Sequence, residues 1–209
     1  MQHPIKLLLI TSTIANSFHK KKNIHFRNQK PKIMHNLIVL AVAALIPLIV
    51  GSAWYSPMLF SKAWMDATGV TAEKAKNSNM IVSMVILYVC SFFIATAVMF
   101  MVIHQFGFQS MLADARGKAA IGDPNSDMGK AIAAIWHGWG HGFRTYRHGA
   151  LHGAITSVFF VLPLIASIAV FEQRGAKYIF ITWGFWLINL VLMGAVICHW
   201  IQFDAMGGM

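Results

Sequence analysis

Charged side chains fall along this chain in clusters, and four long stretches between the clusters contain none. No Asp, Glu, Lys or Arg occurs between Lys32 and Lys62, between Lys76 and Asp114, between Arg147 and Glu172, or between Lys177 and Asp204. Within these gaps apolar residues do not alternate with polar ones, as the strands of a transmembrane barrel require. Each gap instead holds a continuous apolar run. Crossing a hydrocarbon core takes about 20 such residues at ~1.5 Å rise each. Lipid offers no partner for backbone amides, so such runs close their hydrogen bonds internally, as helices. The pattern predicts an all-α integral membrane protein. It is a bundle of four transmembrane helices near 36–56, 79–103, 149–171 and 178–201, forming one domain over 34–209.

Other residues punctuate these spans. Pro47 and Pro163 lie inside the first and third, where a membrane helix tolerates them as kinks. Trp54 and Tyr55 close the first span, and Trp183, Trp186 and Trp200 stand in or near the ends of the fourth. Aromatic residues favour the headgroup level, so Trp54, Tyr55 and Trp64 are expected as interface anchors. The segment after Pro57 reads as a short interfacial helix ended by Gly69. Thr71 then caps the helix that leads into the second span. In the polar loop 104–148, residues 109–121 are predicted as one surface helix with Asp114 and Lys118 paired at i,i+4. Asp123, Asn125 and Asp127 have the spacing of a calcium loop. However, Met128 takes the sixth position, where glycine belongs, and Ala134 takes the twelfth, where a bidentate Glu is needed. The stretch is therefore read as a turn and a helix cap.

Composition agrees with the pattern: 57% of residues are apolar, 11% are charged, and mean hydropathy is +0.59. The net charge of +10 is more misleading. Residues 1–33 hold seven of the 17 Lys and Arg and no acid, so the remainder carries 10 bases against 7 acids, or +3. The segment reads as a basic tail, either disordered or an upstream extension before Met34, and no nucleic-acid partner is expected. The expected setting is the cell membrane, multi-pass. Four spans put the N-terminus, the 104–148 loop and the C-terminus on one side. That side carries 7 + 5 = 12 Lys and Arg against 5 with the tail, and 5 against 5 without it. A cytoplasmic N-terminus therefore follows only if residues 1–33 belong to the protein.

The chemistry-bearing stretch is 136–153, which holds His137, His141, His148 and His152 as two i,i+4 pairs. On one unbroken helix at ~100° per residue all four would share a face. Imidazoles so placed can share a metal ion or ligate a haem. Against this, Gly138, Gly140 and Gly142 each weaken a helix by about 1 kcal/mol relative to Ala. The stretch 138–142 also reads as a loop that unlinks the pairs. No Cys, Asp or Glu accompanies the histidines. The favoured reading is an interfacial polar belt or headgroup contact. Metal or haem binding is the alternative, with His104 or His199 as further ligands. Gly51, Gly149, Gly153 and Gly194 are read as close helix-packing positions. Cys90 and Cys198 are read as small core residues rather than a disulfide. Asn189, the one strongly polar side chain well inside the fourth span, is expected to bond to a neighbouring helix. No catalytic residue is assigned: there is no nucleophile elbow, phosphate loop or metalloprotease pair.

Several segments carry a family resemblance. The run Ile46-Pro47-Leu48-Ile49-Val50-Gly51-Ser52-Ala53-Trp54-Tyr55-Ser56-Pro57, followed by Leu59-Phe60-Ser61-Lys62-Ala63-Trp64-Met65, resembles the opening of the membrane family named domain of unknown function 1761 (DUF1761). His152-Gly153, Phe171-Glu172-Gln173-Arg174 and Met193-Gly194-Ala195 with Trp200 resemble later parts of it. The resemblance covers roughly 35–201, leaves the 104–147 loop unmatched, and implies a small multi-pass membrane protein without an activity. Three functions stay open. The leading one is a non-enzymatic accessory or interaction protein with a homo-oligomer or membrane-protein partner and no cofactor. The others are a histidine-based redox protein holding a transition metal or haem, and an oligomeric small-solute or lipid carrier.

Overall fold

A computed structural model describes residues 32–202 and is helical, with no strand among them. The reading of 1–33 as a basic tail lies, up to residue 31, outside the described residues. Among the described residues four helices are long and apolar enough to cross a membrane: α1 (Lys32–Trp54), α4 (Met80–Val102), α8 (Tyr146–Phe171) and α9 (Ala176–Trp200). Between α1 and α4 lie α2 (Ser61–Thr68) and α3 (Ala72–Lys76). Between α4 and α8 lie α5 (Gln105–Met111), α6 (Ala115–Gly122) and α7 (Asp127–Trp139).

Both prolines follow an interruption of the regular α pattern, and near each a side chain of a neighbouring helix donates to a backbone carbonyl. Before Pro47 the helix tightens, so the Leu45 amide bonds to the Val42 carbonyl at 3.1 Å. The Ala41 carbonyl, which Leu45 would otherwise take, accepts the Tyr88 hydroxyl of α4 at 3.4 Å. In α8 a π turn at Ser157–Val161 precedes Pro163. A wide turn absorbs the missing donor of a proline. The Ser157 carbonyl there also accepts the Trp183 indole N–H of α9 at 3.2 Å.

The core is where α1, α4 and α9 meet: Val39, Leu40, Ala43, Ala95, Val98, Val102, Ile103, Leu190, Met193 and Ile197 are buried together. Beside this core the backbone of α9 meets α8 directly. A Cβ on Gly153 would stand 2.6 Å from the Leu190 carbonyl carbon, and one on Gly149 2.6 Å from that of Gly194. On Gly194 it would meet the Gly149 carbonyl. Gly51 is looser, with the Phe185 ring at 3.4 Å. Asn189 departs from expectation. Its amide donates to the Phe185 carbonyl of its own helix at 2.8 Å, because burial inside α9 leaves the i−4 carbonyl nearest.

The aromatic residues at the end of α1 turn inward. Trp54 donates to the Ile181 carbonyl at 3.1 Å and lies against Phe60 at 4.4 Å between ring centroids. Tyr55 packs between Trp64 and Phe185. They join α1, α2 and α9. Trp54→Phe is expected to cost about 1 kcal/mol through the lost hydrogen bond, read as a lower melting temperature in detergent. On the same side Arg174 ties the α8–α9 turn to α2, donating to the Thr68 carbonyl at 3.1 Å.

The stretch 109–121, predicted as one helix, is divided between the end of α5 and α6. Asp114 does not reach Lys118; its carboxylate accepts the Gly117 amide at 2.8 Å and starts α6 as an N-cap. An exposed i,i+4 pair is worth a few tenths of a kcal/mol and a cap about 1, so the cap prevails. Likewise Thr71 caps only the short α3, and Asn79 caps α4 afresh. Ser126 caps α7, and Asp123 accepts the Asn125 amide in the turn before it.

Candidate metal centre

α4 ends at Ile103, a fully buried residue whose extended backbone turns the chain out of the bundle. The next residue, His104, is thereby held at the bundle's edge, facing the first turns of α8. There Thr145 accepts the His148 amide at 3.2 Å and starts the helix, so His148 and His152 stand one turn apart on the same face.

These three imidazoles meet. Their candidate ligand nitrogens all lie within 4.8 Å of one another. The Nε2 atoms of His104 and His148 are 2.9 Å apart, one ring donating and the other accepting according to tautomer. Ring centroids stand at 5.0, 4.8 and 4.5 Å for the pairs 104–148, 104–152 and 148–152. Imidazole nitrogens around a tetrahedral ion at ~2.0–2.1 Å are about 3.3 Å apart, a spacing bracketed by the observed ones.

His137 and His141 do not join them. α7 ends at Trp139 and residues 140–145 form a turn, so the continuous helix that would align four histidines does not exist. His137 lines a separate shallow hollow with Ala133 and Pro124. His199 stacks on Tyr146 at 4.0 Å, and the Tyr146 hydroxyl accepts the Trp200 indole N–H at 2.7 Å. The structure thus brings His104, named from the sequence only as a further ligand, to His148 and His152, and keeps His137 and His141 apart from them. His104 lies 44 positions before His148, and no local periodicity links the two.

The turn at 140–145 is pinned from three directions, which fixes where α8 starts. Gln105 is buried, and its amide donates to the Gly140 and Gly142 carbonyls at 3.1 and 3.0 Å. The Cys198 thiol donates to the Phe143 carbonyl at 3.4 Å. Arg144 donates to the carbonyls of Cys198 and Ile201 at the end of α9. Burial lowers the Arg144 pKa, and its proximity to carbonyls at a helix C-terminus suits a cation. Gln105→Leu removes both donors and strands two carbonyls. It is expected to destabilise the turn by about 2 kcal/mol, seen as faster hydrogen exchange over 138–148 with α9 unchanged.

The electrostatic setting is mixed and its magnitudes decide the outcome. The N-terminal end of α8 disfavours a cation by roughly 0.3–1 kcal/mol. A closed four-ligand zinc site gains ~10 kcal/mol or more, so a term of the dipole's size does not by itself bar an ion from three imidazoles. A cavity of about 260 Å³ adjoins the cluster and includes His104, Phe108, Trp136, Trp139 and Phe143 in its wall. The Phe143 backbone is left-handed, at φ 62°, and its ring lies 5.1 Å from that of His148.

No curated protein and no solved structure matches this chain. The family described as "Protein of unknown function (DUF1761)" matches it over residues 38–198, from the first span to the end of the fourth and including all three clustered histidines. A match of that extent places the whole four-helix unit within one family, and the chain belongs to DUF1761.

Proposed function

We propose that this is a multi-pass membrane protein that binds one first-row transition-metal ion through His104, His148 and His152. The observation that carries the proposal is the convergence of three imidazoles from two distant segments, with ligand nitrogens within 4.8 Å. Neutral imidazole suits copper, zinc, iron and nickel, and the order of intrinsic affinities favours Cu(II), then Zn(II) among ordinary competitors. Three protein ligands leave a position open, as in zinc sites that act on a substrate rather than brace a fold. The rings lie too close together for a haem macrocycle to fit between them, which supports a single ion.

The accessory-protein reading rests on the uncharged spans and on their small-residue faces. Gly149, Gly153 and Gly194 face one another within this chain, so they favour no outside partner. Elemental analysis after exposure to Cu(II) or Zn(II) in mild detergent is expected to give about one ion per chain. Copper EPR is expected to show nitrogen ligation. Protein that retains no ion after desalting refutes the proposal.

A further inference from the structure

The cavity and the histidine cluster share a wall. His104 belongs to both, and Phe143 lines the cavity while its ring lies against His148. Resting on the metal reading above, we infer that the cavity holds the ion's fourth ligand. That ligand is a small planar aromatic molecule with one nitrogen or oxygen lone-pair donor.

Size, lining and polarity carry the choice. An apolar cavity of about 150 Å³ accepts a benzene, so about 260 Å³ accommodates a ring with a substituent or a second ring. Phe108, Ile135, Trp136, Trp139 and Phe143 supply apolar walls. Stacked or edge-on ring contacts add roughly 0.5–1.5 kcal/mol beyond burial. The polar side chain best placed to bind a guest, Gln105, already spends its amide hydrogens on Gly140 and Gly142. With those hydrogens engaged, the ion on His104 would be the acceptor for a guest's lone pair. A sugar or a free anion would lose its hydration there without replacement. Ile135 and Trp139 line the cavity and are themselves exposed, so a guest meets apolar surface there.

The test compares imidazole with 4-phenylimidazole, which share a donor and differ by one ring. Both are titrated into the Cu(II)-loaded full chain in mild detergent and followed by EPR. The phenyl compound is expected to bind roughly tenfold tighter or better. Trp139→Ala and, separately, Phe108→Ala are expected to remove most of that preference while leaving imidazole affinity unchanged. Equal affinities in the loaded wild type, or a preference that survives both variants, overturn this inference alone. A wild type that takes up no metal overturns the metal reading and this inference with it, and is recognised before any azole is added.

Discussion

Gly153→Val is expected to separate α8 from α9 and lower the melting temperature in detergent by roughly 6–12 °C. Substituents that overpack a core cost about 1–3 kcal/mol when neighbouring side chains can move aside. Here the obstruction is the Leu190 backbone, whose carbonyl carbon would stand 2.6 Å from the new Cβ. A helix backbone yields only by moving the whole helix, so the upper end, about 3 kcal/mol, applies. For a chain of this size each kcal/mol shifts the midpoint by ~2–4 °C. Gly149→Val meets the Gly194 carbonyl carbon at 2.6 Å and belongs to the same class. Gly138 provides the control, because a Cβ there meets nothing within 4 Å. Gly138→Ala is expected to be neutral, or to stabilise α7 by up to about 1 kcal/mol. Equal effects at 138 and 153 would show that helix propensity, rather than close approach, governs these glycines.

The second large effect concerns the ion. Single alanine variants of His104, His148 and His152 are each expected to weaken Cu(II) or Zn(II) binding by at least about a hundredfold, since even loss of a hydrogen bond to a ligand costs 10–100-fold. His137→Ala and His141→Ala are expected to leave affinity unchanged. The pattern is diagnostic because the sequence pairs 137 with 141 as readily as 148 with 152. Metal at a hundredfold excess over Kd stabilises the folded state by about 2.7 kcal/mol. The melting temperature is therefore expected to rise on loading, and in the His104→Ala variant not to rise. Loss of binding in His137→Ala with retention in His104→Ala would move the site out of the cluster.

The sequence alone shows the four spans because the cost of charge in hydrocarbon leaves a linear record: gaps between charged residues. The helix that holds the third apolar run starts at Tyr146, three residues before the run near 149–171. The Thr145 cap makes Tyr146 the first helical residue, and a polar start such as Tyr146-Arg147-His148 carries no hydropathy signal. The single helix expected over 109–121 failed for a related reason, because a one-residue cap at Asp114 outweighs a favourable periodic pair. The closeness of Gly149 and Gly153 was legible, since small residues four apart mark a packing face. Their partner was not, since nothing in the sequence says whether such a face turns to another protein or to the chain's own last helix.

The histidine cluster divides the same way. Spacing along α8 determined that His148 and His152 share a face, because a helix repeats every 3.6 residues and needs only its own hydrogen bonds. The sequence also determined membership in the family, the helical class and the number of apolar spans. Only the tertiary structure decided that the chain turns at Ile103 and presents His104 to that face, and that the turn after Trp139 carries His137 and His141 away from it. Those outcomes depend on Gln105, Arg144 and Cys198 binding backbone from segments between 35 and 57 residues away. Contacts of that range leave no periodic trace in the sequence and arise only when the packed helices bring those segments together.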